Sequence, residues 1–77
     1  MIIKYTTASS SEYTIDYCKG TWKRTKGEFA AEIRTDKGSF DMIYTDKGYI
    51  TLICPPLNQP FDRIITSTPI IKTERID

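Results

Sequence analysis

The chain contains no histidine and no valine, only two leucines, three alanines and two cysteines. Each shortage excludes something. Without histidine, the commonest general acid-base group is missing, and with it the Ser-His and Cys-His nucleophile pairs and most zinc chemistry. With so little alanine and leucine, the chain lacks the residues that favour helix. Twelve isoleucines and eleven threonines stand in their place, β-branched side chains that suit strands. Cys18 and Cys54 lack the paired spacing of a zinc site, and sequence alone does not bring their Cβ atoms within the about 4.5 Å a disulfide needs. Both read as free thiols used as small buried apolar groups. No apolar run approaches the ~20 residues of a membrane-spanning helix, and no basic-then-apolar leader is visible, so a soluble, cytoplasmic protein is expected. Eleven basic residues against ten acidic give a net charge of +1. That balance argues against a protein that coats DNA or RNA, while leaving room for a local basic patch.

What is present reads as β structure throughout. Seventy-seven residues make one domain, 1–77, whose core leaves a narrow margin of stability. The expected architecture is all-β, a small antiparallel barrel or two-sheet sandwich of about eight short strands. Strands are predicted near Ile2 to Thr6, Tyr13 to Tyr17, Thr21 to Thr25, Phe29 to Arg34, Ser39 to Tyr44, Tyr49 to Cys54, Arg63 to Ser67 and Ile70 to Arg75. The tetrapeptide Thr-Asp-Lys-Gly occurs twice, at Thr35 to Gly38 and Thr45 to Gly48. Asp can bond its own backbone and Gly can take a positive φ, so both copies read as turns and Ile33 to Cys54 as a three-stranded meander. Gly20 is expected to take a positive φ after the second strand. Glu28 to Ile33 fits either a strand, favoured by its surroundings, or two turns of helix. Pro55, Pro56 and Pro60 exclude a central strand there and predict a stiff loop pinned by Leu57 and Phe61.

Catalysis would have to rest on carboxylates. Of Asp16, Asp36, Asp41, Asp46 and Asp62, Asp36 and Asp46 fall in the two expected turns and Asp41 on a solvated strand face. Ser9-Ser10-Ser11 has neither the elbow glycines of a hydrolase nor a base to activate it. The reading is a protein that is not an enzyme, with no cofactor and no metal site. Binding is the better question, since five Tyr, three Phe and one Trp are a large aromatic load. Cations adjoin several of them: Lys4-Tyr5, Trp22-Lys23-Arg24 and Lys47-Gly48-Tyr49. An aromatic plane beside a cation suits a nucleobase and its phosphate, although the same rings are also needed as core. Trp22 in particular reads first as a core or interface anchor. The residues singled out for a ligand are Trp22 and Arg24 on one strand face, Tyr44 and Tyr49, Arg63 after the proline loop, and Thr66, Ser67 and Thr68, whose hydroxyls and nearby backbone N–H groups suit a phosphate.

The sequence around Tyr13-Thr14-Ile15-Asp16, Gly20-Thr21-Trp22-Lys23-Arg24, Arg34-Thr35-Asp36-Lys37-Gly38, the Pro55-Pro56-Leu57 loop and Arg63-Ile64-Ile65-Thr66-Ser67-Thr68-Pro69-Ile70 resembles small all-β proteins encoded by bacteriophages. The resemblance implies a setting, the bacterial host cytoplasm during infection, and carries no catalytic residues. It suggests an inhibitor of host defence that sequesters a signalling nucleotide, of the cyclic oligonucleotide or ADP-ribose type. Alternatives are a protein-binding inhibitor or adaptor directed at a host defence protein, and a minor virion or assembly subunit. A homo-oligomer is expected, because a core this small gains from a subunit interface and because Ile2-Ile3, Ile64-Ile65 and Ile70-Ile71 place apolar groups on both faces of their strands. A barrel this small is filled by side chains, so a nucleotide would sit in a groove between subunits.

Overall fold

The computed structural model describes residues 1–26, 34–55 and 63–77. Among them seven strands are formed: β1 (Ile2–Thr7), β2 (Glu12–Asp16), β3 (Thr21–Lys26), β4 (Arg34–Ser39), β5 (Met42–Tyr44), β6 (Tyr49–Cys54) and β7 (Arg63–Arg75). The fold is all-β, and among the described residues there is no helix, hence none long and apolar enough to cross a membrane.

The strands lie in the order β4-β3-β2-β1-β7-β6-β5, with every pairing antiparallel. The sheet curls into a half-barrel because two segments each serve two of its parts. The first half of β7 pairs with β6, from Arg63↔Cys54 to Pro69↔Tyr49, and its second half pairs with β1, from Ile70↔Thr7 to Arg75↔Ile3. The two edge strands are joined directly through Phe40 and Asp41. Phe40 N–H donates to Gly20 O on the β3 side at 2.9 Å, and Asp41 N–H donates to Ile53 O on the β6 side at 2.7 Å. One side of the sheet is therefore drawn round toward the other.

The alternation of strand side chains assigns the faces. Ile3, Tyr5, Tyr13, Ile15, Trp22, Ile50, Leu52 and Cys54 fill the interior, and Tyr17, Phe40, Ile43, Ile65 and Ile70 pack against them. The paired isoleucines divide as expected: Ile65 and Ile70 meet the core, whereas Ile64 and Ile71 are 65% and 67% exposed.

Several expectations need correction. The first Thr-Asp-Lys-Gly copy is not a turn; it lies within β4, paired residue for residue with β3. The three-stranded meander is accordingly reduced to the β5-β6 hairpin, and β4 pairs with β3 instead. The reason lies in packing: Gly38 sits opposite Trp22, and a Cβ built there would lie 3.1 Å from the indole Nε1. This glycine provides room for a ring, whereas Gly48 in the second copy provides a positive φ of 86° for a true turn closed by Gly48 N–H to Thr45 O at 3.2 Å. Asp36 is a strand residue rather than a turn cap. The last two expected strands are a single strand of 13 residues, with Pro69 accommodated beside the register shift that bends it. Cys18 is exposed, so only Cys54 acts as a buried apolar thiol. Gly20 has the expected positive φ, 66°. The strand-or-helix question at Glu28 to Ile33 and the expected anchors Leu57 and Phe61 lie outside the described residues.

Candidate functional site

The outer face of β5, β6 and β7 carries the principal candidate. Register places Tyr44 opposite Thr51 and Thr51 opposite Thr66, a row of one aromatic and two hydroxyl side chains across three strands. The turn between β5 and β6 overhangs one end of this row. Its Gly48 carbonyl accepts a bond from Ile70 N–H at 2.7 Å, which fixes the turn to β7. Together these elements form a concavity of about 480 Å³ lined by Tyr44, Asp46, Lys47, Tyr49, Thr51 and Thr66. That volume falls within the roughly 300–1,000 Å³ of ordinary ligand sites. Tyr44 is 43% exposed, and its hydroxyl points to Met42 Sδ at 3.4 Å, a weak acceptor that a better partner can replace.

Three residues singled out from sequence, Tyr44, Tyr49 and Thr66, thus line one concavity. Others have structural employment. Trp22 is 3% exposed in the core, and its Nε1–H donates to Ser39 O at 3.2 Å, so its ring face is covered. Arg24 pairs with Asp36 across β3 and β4, and its guanidinium carbon lies 6.0 Å from the centre of the Tyr13 ring. Burial works against its charge, but the bonds to Asp36 and Tyr13 outweigh it and raise the pKa above the ordinary arginine value. Among the described residues its buried Nε has no hydrogen-bond partner.

Ser67 Oγ accepts Ile50 N–H at 2.8 Å and donates to Thr68 O at 2.7 Å. Thr68 Oγ1 accepts Ser9 N–H at 3.2 Å and bonds Ser9 Oγ at 3.0 Å, tying β7 to the turn after β1. The hydroxyl cluster expected to hold a phosphate is thus divided: Ser67 and Thr68 secure backbone, and Thr66 alone joins the concavity. Arg63 starts β7 opposite Cys54, and its side chain lies outside the described residues.

Lys47, Asp46 and Thr51 are the residues that site prediction missed. The signal for Lys47 was present, since it stands two residues before Tyr49. Asp16, weighed as a carboxylate, ends β2, and its Oδ1 accepts the N–H groups of Cys18 and Lys19 in the following turn at 3.0 Å each. Among the described residues no three acidic or cysteine side chains converge as metal ligands would. Comparison with protein-family models, curated proteins and solved structures finds no match.

Proposed function

We propose that this is a non-enzymatic binding protein for a nucleotide-class ligand, taken up in the concavity on the outer face of β5 to β7. The observation that carries the reading is the convergence of Tyr44 and Tyr49 with Lys47 and Asp46 in one ligand-sized space. A tyrosine face stacks a base, the lysine ammonium meets a phosphate, and a carboxylate accepts hydroxyl hydrogens from a ribose. Lys47 and Asp46 balance in charge, so recognition rests on ring and sugar as well as phosphate. In the setting that the bacteriophage resemblance implies, the ligand is a host defence signal, a cyclic oligonucleotide or ADP-ribose derivative, held out of solution.

A second reading has its own observation. Met42, Ile53 and Ile64 form the adjacent cross-strand row, and Met42 and Ile64 are 49% and 65% exposed. An apolar strip of this kind favours a protein partner, either a host protein or a second copy of this chain that would turn the concavity into an intersubunit groove. Thermal-shift measurement against cyclic dinucleotides, cyclic oligonucleotides and ADP-ribose tests the first reading. A ligand at 100 times its dissociation constant stabilises by about 2.7 kcal/mol, several degrees for a domain of this size. Lys47→Glu should abolish the shift while leaving the unliganded midpoint unchanged. A flat response across the ligands removes the nucleotide reading and favours the protein-binding one.

A further inference from the structure

The other end of the sheet has an outer face of different chemistry. Register aligns Lys4 with Thr14, Thr14 with Lys23, and Lys23 with Lys37, one residue from each of β1, β2, β3 and β4. The row carries three cations and no acid. Lys23 and Lys37 are exposed and stand directly opposite each other, an arrangement that repels and costs stability in the free protein.

Among the described residues no acid forms an ion pair with Lys23 or Lys37. Glu74 lies opposite Lys4 and bonds Lys72 Nζ at 2.7 Å; that bond and then the charge of Lys4 hold its pKa below the usual carboxylate value, so Lys4 is partly offset. Asp16 is occupied at Oδ1 by two backbone N–H groups. Glu12 is one row away, opposite Thr25. Beside the lysines, Ile2, Thr14, Asp16, Thr21, Trp22 and Gly38 line a shallow concavity of about 560 Å³ with Lys23 and Lys37.

We propose that this face docks the phosphate backbone of single-stranded nucleic acid. Charge complementarity requires an anion, and the composition of the face selects among anions. Protein partners are held chiefly by apolar and aromatic anchors in a desolvated centre. Here the apolar lining is Ile2 and Trp22, and Trp22 is only 3% exposed and so offers no protruding anchor, whereas threonine hydroxyls and lysines are groups that phosphates use. With strands about 4.8 Å apart, the row from Lys4 to Lys37 spans roughly 14 Å, room for several successive phosphates of a flexible strand. The net charge of +1 is compatible with such a local site, because the row is a small part of the surface.

The test is fluorescence-anisotropy titration of the whole protein with labelled oligothymidylate at increasing salt. Three lysine contacts give a slope of log K against log salt near −2, so affinity falls about 20-fold between 50 and 200 mM salt. Lys23→Glu and Lys37→Glu should each weaken binding at least tenfold and flatten the slope. Lys19→Glu, an equal change of charge in the turn after β2, should leave both nearly unchanged. Either row substitution replaces a like-charged pair by an opposite one, so its melting temperature should match or exceed the parent's, which separates lost binding from lost fold. No binding at 50 mM salt, or binding indifferent to Lys23→Glu and Lys37→Glu, overturns the proposal. So does equal binding of polyglutamate or of phosphatidylserine vesicles, which would assign the row to an acidic protein or a membrane surface.

Discussion

Ser67 shows how one hydroxyl on this chain is committed. The register shift between Tyr49 and Thr51 leaves the N–H of Ile50, a residue 1% exposed, without a ladder carbonyl, and Ser67 Oγ accepts it at 2.8 Å. Ser67→Ala would strand that donor inside the protein, with a loss of about 1–3 kcal/mol. Denaturant unfolding checks this, and Thr66→Ala in the same strand should change stability by less than about 0.5 kcal/mol, as surface positions do. Titration offers a second residue-scale prediction. The Asp77 carboxylate accepts the Ile2 backbone N–H and then the Arg75 side chain, which together hold its pKa down at about 2 from an ordinary 3.8. Because the folded value is the lower one, its contribution is fully present above about pH 4 and is lost as pH falls toward 2. NMR of the carboxyl carbon should give a midpoint near 2, and a midpoint near 4 would show that the bonds do not form.

At the scale of elements, the two Thr-Asp-Lys-Gly copies are the most instructive. Composition and β-branching located most of the strands, and Gly20 and Gly48 were legible as turns because a positive φ is a local property. Gly38 was not legible, since its role is to make room for an indole on the neighbouring strand, and cross-strand neighbours are not visible in a tetrapeptide. The same limit divided the site. Tyr44 and Tyr49 flank one tight turn that contains Lys47, and all three were within reach of local reading, whereas the interior position of Trp22 and the pairing of Arg24 with Asp36 depend on a register set by β4. Gly38→Val and Gly48→Val should therefore fail differently. The first crowds a buried ring, at about 1–3 kcal/mol, and the second forces a branched side chain into left-handed backbone, at about 1–2 kcal/mol. Combining each with Trp22→Phe tells them apart by a double-mutant cycle. The smaller ring should relieve part of the Gly38→Val loss and none of the Gly48→Val loss. Equal coupling at both positions would contradict the packing account.

For the molecule as a whole, curling one sheet until β4 continues into β5 packs side chains of the described residues inside it and leaves its outer faces exposed. Those faces differ along the sheet. Tyrosine, methionine and isoleucine mark the β5 to β7 end, and a lysine row marks the β1 to β4 end. The central claim is that the first of these takes a nucleotide. Its most direct test is a two-dimensional amide NMR titration with ADP-ribose and with a cyclic dinucleotide. The account predicts that at least one of them produces saturable shifts confined to Tyr44, Asp46, Lys47, Gly48, Tyr49, Thr51 and Thr66. No saturable shift with either ligand, or shifts gathered instead around Lys23 and Lys37, would contradict it.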